Sequence, residues 1–249
     1  MTDATPSRGA SSRAAVTEAE RAALNAGTAS ARTLTEALVI DHAELLGHAV
    51  PELPAAALDR VRAAAELGVL KRMRLVGAEL LAAFGPGIAE RLAEHPSDTV
   101  RGWACFVVGE TPGLSVTERL GRIRGLADDP AFTVREWVWM AVRPELVAEL
   151  AESIEQLSGW TGDASPRIRR FASEALRPRG VWASHIGELK AEPALGLPLL
   201  EPLRADPEKY VQDSVANWIN DASKDRPDWA RDTVERWLVE SPGAATERI

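Results

Sequence analysis

The sequence predicts an all-α protein built from stacked helical repeats, and three observations predict it. Ala, Leu, Glu and Arg dominate the 249 residues and β-branched runs are short, a composition that favours helix. Four segments share one pattern: 95-HPSDTVRGWACFVVGE-110, 129-DPAFTVREWVWMAVRP-144, 163-DASPRIRRFASEALRP-178 and 206-DPEKYVQDSVANWIND-221. Their starts lie 34, 34 and 43 residues apart, the period of helical hairpins that bury their faces by stacking on neighbours.

The elements follow in order. Residues 1–31 are rich in Ala, Ser, Thr and Gly and read as a disordered tail with a short helix over 16–25; the repeat domain spans 32–249. Thr33 to Val50 reads as one helix, 55–67 and 70–84 as two more, and Gly85-Pro86-Gly87 as a break. Each repeated segment opens with Asp or His and places Val100, Val134, Ile168 or Val211 five residues later, at a core position. The leading Asp is expected as a helix N-cap, with the following Pro at N1, where a missing N–H costs nothing. Trp103, Trp137 and Phe171 fall in one column of the register and are expected in the core. Partner helices are expected over 115–127, 145–159, 184–190 with 196–204, and 228–239, and 246–249 reads as the start of another helix. The expected architecture is a superhelical solenoid of HEAT-like helical repeats with a concave groove.

Several chemistries are excluded. Cys105 is the only cysteine, so no intrachain disulfide and no cysteine-type zinc site can form. The four histidines are scattered. No stretch is apolar enough to span a membrane and no secretory signal opens the chain, so a cytoplasmic monomer is expected. The formal net charge of −8 argues against a nucleic-acid partner, yet residues 161–190 carry about +3. A basic island matters because phosphate contact depends on local charge.

The runs REWVWMAVRPE (135–145), RRFASEALRPRGVWA (169–183), LPLLEPLRADPEKYVQDSVANWINDASKDRPDW (197–229) and ERWLVESP (235–242) are not generic to such repeats. They resemble the AlkC/AlkD-type DNA alkylation repair family, on the AlkC-like side, from about Thr33 to the C-terminus. The resemblance implies a DNA glycosylase of HEAT-like repeats that needs neither metal nor organic cofactor. Its partner would be double-stranded DNA carrying bases of the 3-methyladenine, 7-alkylguanine or 3-methylcytosine type. It also implies a grip on the backbone around the lesion in place of a deep base pocket. Some AlkC-like proteins carry an additional C-terminal immunoglobulin-like domain, for which this chain has no room.

Such a substrate makes modest demands. An N-alkylated base is cationic and a good leaving group, so the site needs a carboxylate for the charge developing on the sugar, aromatic faces for the base, and Arg or Lys for phosphates. Glu174 sits well inside its helix among Ala172, Ala175 and Leu176, and the resemblance places a catalytic carboxylate there. The alternative is simple pairing with Arg170 or Arg177. Trp182, after Pro178 and Gly180, is positioned to turn back beside Glu174. Asp221 shares a helical face with Asn217 and Asn220 near a helix C-terminus, where a carboxylate opposes the macrodipole, and reads as a second carboxylate holding sugar or water. By register Trp139 lies beside the groove with Glu136. Arg143, Arg169, Arg170, Arg177, Arg179 and Lys224 are the phosphate candidates; the repeated Arg-Pro at 143–144 and 177–178 also has the plainer reading of a helix stop. Two other functions fit the repeats: a non-catalytic module binding damaged or branched DNA, and a protein-binding scaffold.

Overall fold

The computed structural model describes residues 9–180 and 182–249. Among these residues there are sixteen α-helices and no strand: α1 Glu18–Asn25, α2 Leu34–Leu38, α3 His42–Ala49, α4 Ala55–Ala63, α5 Val69–Phe84, α6 Ile88–Ala93, α7 Asp98–Glu110, α8 Val116–Ala127, α9 Phe132–Ala148, α10 Leu150–Ser158, α11 Pro166–Glu174, α12 Gly187–Ala191, α13 Leu197–Leu200, α14 Lys209–Ser223, α15 Pro227–Glu240 and α16 Ala244–Arg248. Among the described residues no helix is long and apolar enough to cross a membrane. The all-α, helical-repeat fold class is the observed one. The helices fall into two compact units, one of residues 1–112 and 130–141, the other of 113–129 and 142–249.

In the first unit α7 is the hub. Val100, Trp103, Ala104, Phe106 and Val107 are wholly buried, as the repeat register requires. Gly77 on α5 admits this helix: a Cβ there would sit 2.6 Å from Phe106 Cβ, closer than packed atoms tolerate. Trp103 Nε1–H donates to Nδ1 of His42 at 3.2 Å, and His42 is buried with it.

Burial, with the Arg72 charge nearby and Asp41 opposing weakly, pulls the His42 pKa from 6.5 to about 3. The unfolded chain therefore binds the proton first, and this contribution to stability is complete above pH 6.5 and declines as pH falls toward 3. Denaturant unfolding of the wild type is expected to lose about 1.4 kcal/mol per pH unit from this group within that window. His42→Gln, whose side chain can still accept from Trp103, is expected to flatten the slope. Equal slopes in the two proteins would contradict this.

The stretch expected as a disordered tail is ordered from Gly9 onward, while residues 1–8 lie outside the described residues. Helix α1 carries a full capping box between Thr17 and Glu20. Two buried carboxylates tie the segment down: Glu36 accepts the N–H groups of Ala10 and Arg32 at 2.8 and 2.7 Å, and Asp98 accepts that of Ala31 at 3.0 Å. The anchoring runs from backbone to carboxylate, so the apolar pattern gives no sign of it.

Several element boundaries differ from expectation. The helix expected over 33–50 is two, because Asp41 Oδ1 accepts the N–H groups of Ala43 and Glu44 and starts α3 afresh. Helix α9 continues through Pro144 to Ala148, with Leu146 fully buried beyond the proline. Nor are the leading aspartates N-caps. Ser165 caps α11 with Pro166 at N1, whereas Asp163 and Asp206 lie earlier and accept the N–H two residues on, from Ser165 and Glu208. Their charges are directed at arginines one repeat back, Arg124 and Arg169.

In the second unit α11 packs on α14, and α14 on α15. Trp218 is fully buried and donates to the Leu176 carbonyl at 3.2 Å. Gly196 makes this possible, since a Cβ would come within 2.4 Å of the indole. Pro193, Pro198 and Pro202 break the ladder of the neighbouring segment, so the helix expected over 196–204 is only the short α13 flanked by 3₁₀ turns.

Candidate functional site

Helices α11 and α14 of the second unit bring together the charged residues singled out in the sequence. Glu174 ends α11 and Asp221 lies in the last turn of α14; they are only 5% and 3% exposed. Arg177 bridges them. Its Nη1 donates to Glu174 Oε1 at 2.8 Å, and its Nε and Nη2 reach Asp221 Oδ2 at 3.0 and 2.9 Å. Burial opposes the Arg177 charge, but the two carboxylates outweigh it and raise its pKa.

The remaining oxygens are engaged unequally. Glu174 Oε2 accepts the Ser214 hydroxyl at 2.7 Å and lies 3.3 Å from Arg170 Nη2. Ser173 Oγ lies 2.8 Å from Ser214 Oγ, extending the chain to a second hydroxyl. Asp221 Oδ1 has a long contact, 3.5 Å, to Lys224 Nζ, whose side chain is half-exposed. The pairing of Glu174 with Arg170 and Arg177, read from the sequence as the plainer alternative, is formed. Glu174 is enclosed in an ion network, and Asp221 is the carboxylate whose outer oxygen is held least.

A second arginine fixes the turn after α11. Arg143 is buried, and its guanidinium donates to the carbonyls of Ala175 and Arg177 at 2.6 Å each and of Ser184 at 3.3 Å. Burial, then repulsion from Arg177, pushes its pKa down to about 10. The turn thus clamped carries Trp182, half-exposed with φ 61°. A left-handed conformation costs a non-glycine residue about 1–2 kcal/mol, and such strain gathers at functional sites. Trp182 is the only non-glycine residue with positive φ among those described.

The other candidates are placed as follows. Arg169 makes a two-pronged bridge to Asp206 at 2.6 and 3.0 Å. Arg170 donates to the Tyr210 carbonyl and stacks on that ring, 4.2 Å from its centroid. Arg179 is bidentate on Asp225. Asn217 and Asn220 are exposed, whereas Asp221, one turn beyond Asn217, is buried. Trp139 is buried in the first unit with Trp137, where the sequence had one of the two facing a groove; its Nε1–H donates to Glu136 Oε2 at 3.0 Å. The arginines expected on phosphates are thus turned to carboxylates and carbonyls, and Asp206 and Asp225 offset much of the basic island of 161–190.

Sequence reasoning missed Ser214, Asp206, Asp225 and Tyr210. Ser214 left a signal: it stands in the column of Trp103, Trp137 and Phe171, and a hydroxyl in an otherwise aromatic column marks a polar partner to be served.

This is a helical-repeat protein whose third and fourth repeats enclose a carboxylate–arginine network, with a strained, exposed tryptophan in the turn after the third-repeat helix. Comparison with known proteins agrees with that class. The chain is similar to Pseudomonas fluorescens AlkC, an alkylpurine DNA glycosylase whose structure was solved bound to DNA containing an abasic site analogue. The TM-score is 0.63 and the identity 27%, covering 82% of this chain and 57% of that one. Over 61 residues, 24% of the chain, it is 41% identical to the uncharacterized protein YhaZ of Bacillus subtilis (strain 168), of which it spans 17%. No family model matches. The chain therefore has an AlkC-like fold and spans little more than half the length of the AlkC chain it matches.

Proposed function

We propose that the protein is a DNA glycosylase that excises cationic N-alkylated bases of the 3-methyladenine, 7-alkylguanine or 3-methylcytosine type from duplex DNA. The observation that carries this reading is the likeness to AlkC across 82% of the chain at 27% identity. The carboxylate pair gives it a chemistry. The C1′–N bond breaks with its electron pair leaving on the base, which departs neutral because it was cationic. Positive charge grows on the sugar, and a carboxylate beside it lowers the barrier. Water then adds at C1′ and its proton passes to the carboxylate and on to solvent. Asp221 takes this role through Oδ1. Glu174 holds Arg177, Arg143 holds the turn, and Trp182 lies against the sugar or the cationic base. Arg143, Arg169 and Arg177 act here as positioning residues; Lys224, Asn217 and Asn220 are the groups exposed to meet backbone phosphates.

Formation of abasic sites in a duplex with a single N-methylated base tests the reading, scored as alkaline strand cleavage. The second reading, a non-catalytic module for damaged or branched DNA, is favoured by the engagement of Glu174 with Arg177. It predicts salt-dependent binding without cleavage.

Trp182 offers a separate check. Trp182→Gly removes a half-exposed ring from a left-handed position, so the unfolding free energy is expected to stay within about 1 kcal/mol of wild type. Abasic-site formation is expected to fall at least tenfold if the ring meets the substrate, the order of one cation–π or stacking contact. Full activity in this variant would remove Trp182 from the site.

A further inference from the structure

The first unit holds a cavity that nothing above uses. It has a volume of about 340 Å³ and is lined by Arg13, Arg21, Arg62, Arg72, Asp41 and His42 among apolar residues of α2–α4. That volume is at the lower end for small-molecule sites. Four arginines face one acid. Asp41 already spends Oδ1 on the first turn of α3, and Arg62 also reaches Asp59 at 2.5 Å outside the cavity.

The protonation of the wall can be read from its hydrogen bonds. Because Nδ1 of His42 accepts from Trp103, the neutral ring carries its proton on Nε2. That Nε2–H is buried with no partner, and so is the Nε–H of Arg72. Both orphans are donors. Buried donors without acceptors are rare in folded proteins; both residues line the cavity, and its four guanidiniums set against a single acid ask for an anion with several acceptor oxygens. Phosphate has that geometry, and arginine forks match it.

We propose that this cavity binds the phosphate group of a small phosphomonoester, with Arg13, Arg21, Arg62 and Arg72 on its oxygens and the His42 ring in its wall as a reporter of occupancy. It is a second site in the first unit, independent of the carboxylate network. Room beyond the phosphate fits a ligand of nucleotide size.

Imidazole ¹⁵N–¹H spectra of the full chain, titrated at pH 7.5 and constant ionic strength, test the assignment. The probes are inorganic phosphate, a deoxynucleoside 5′-monophosphate and an undamaged duplex without terminal phosphates, against chloride as reference. The His42 Nε2–H signal is expected to shift saturably with phosphate or the nucleotide and to remain in place with chloride. Arg72→Gln and, separately, the exposed Arg21→Gln, each with a wild-type circular dichroism spectrum, are expected to weaken that binding about tenfold. No shift with either small probe overturns the proposal, as does equal affinity in both variants. A shift with the duplex alone also overturns it, in favour of a backbone-phosphate site.

Discussion

Asp221→Asn is expected to slow base release about 10²–10³-fold while leaving duplex binding within a few fold, the loss seen when one preorganised electrostatic group is removed from a reacting centre. The substitution keeps shape and an acceptor for Arg177, so the network can persist, but it removes the charge that would face the developing cation. Single-turnover release from a methylated duplex, measured beside fluorescence anisotropy of binding, separates the two effects. Release at the wild-type rate would assign Asp221 to the ion network alone. Glu174→Gln serves as the contrast. With both oxygens engaged by Arg177, Ser214 and Arg170, its loss is expected to lower stability and release together.

Arg177→Met is expected to be the most destabilising single change at this site, by about 3–5 kcal/mol, because it leaves two buried carboxylates with only the longer contacts to Arg170 and the half-exposed Lys224 as counter-charge. Methionine keeps much of the aliphatic stem, so the deficit reports charge more than volume. The triple change Arg177→Met, Glu174→Gln, Asp221→Asn is expected to recover part of it, since both carboxylate charges leave with their partner, while the buried Arg143 loses their attraction. Denaturant midpoints of the two variants measure this. A single variant as stable as wild type would mean that the network is open to water.

The repeat fold was legible because its signal is apolar and periodic. Val100, Val134, Ile168 and Val211 are all buried at the positions the 34- and 43-residue spacings assign, and the aromatic column of Trp103, Trp137 and Phe171 is core. What escaped is polar and long-range. The leading aspartates read as caps by local rules, yet their carboxylates bridge to arginines about 40 residues away, as Asp206 does to Arg169. Residues 9–31 have few large apolar side chains and read as mostly disordered, yet Val16, Leu24 and Ala31 are buried and the segment is held by Glu36 and Asp98. The same blindness applies at the site. Glu174, Arg177 and Asp221 could be picked out as unusual, but that one guanidinium spans both carboxylates depends on how α11 meets α14, which side-chain periodicity does not encode.

Everything proposed for the site rests on hydrolysis of the glycosidic bond of an N-alkylated base. Incubating purified full-length protein with N-methylated duplex DNA and identifying the small molecules released by mass spectrometry tests it most directly. Expected are a free methylated purine or methylated cytosine together with one abasic site for each base released, at a rate lowered about 10²–10³-fold by Asp221→Asn. Intact methylated DNA after prolonged incubation with folded, DNA-binding protein would contradict it.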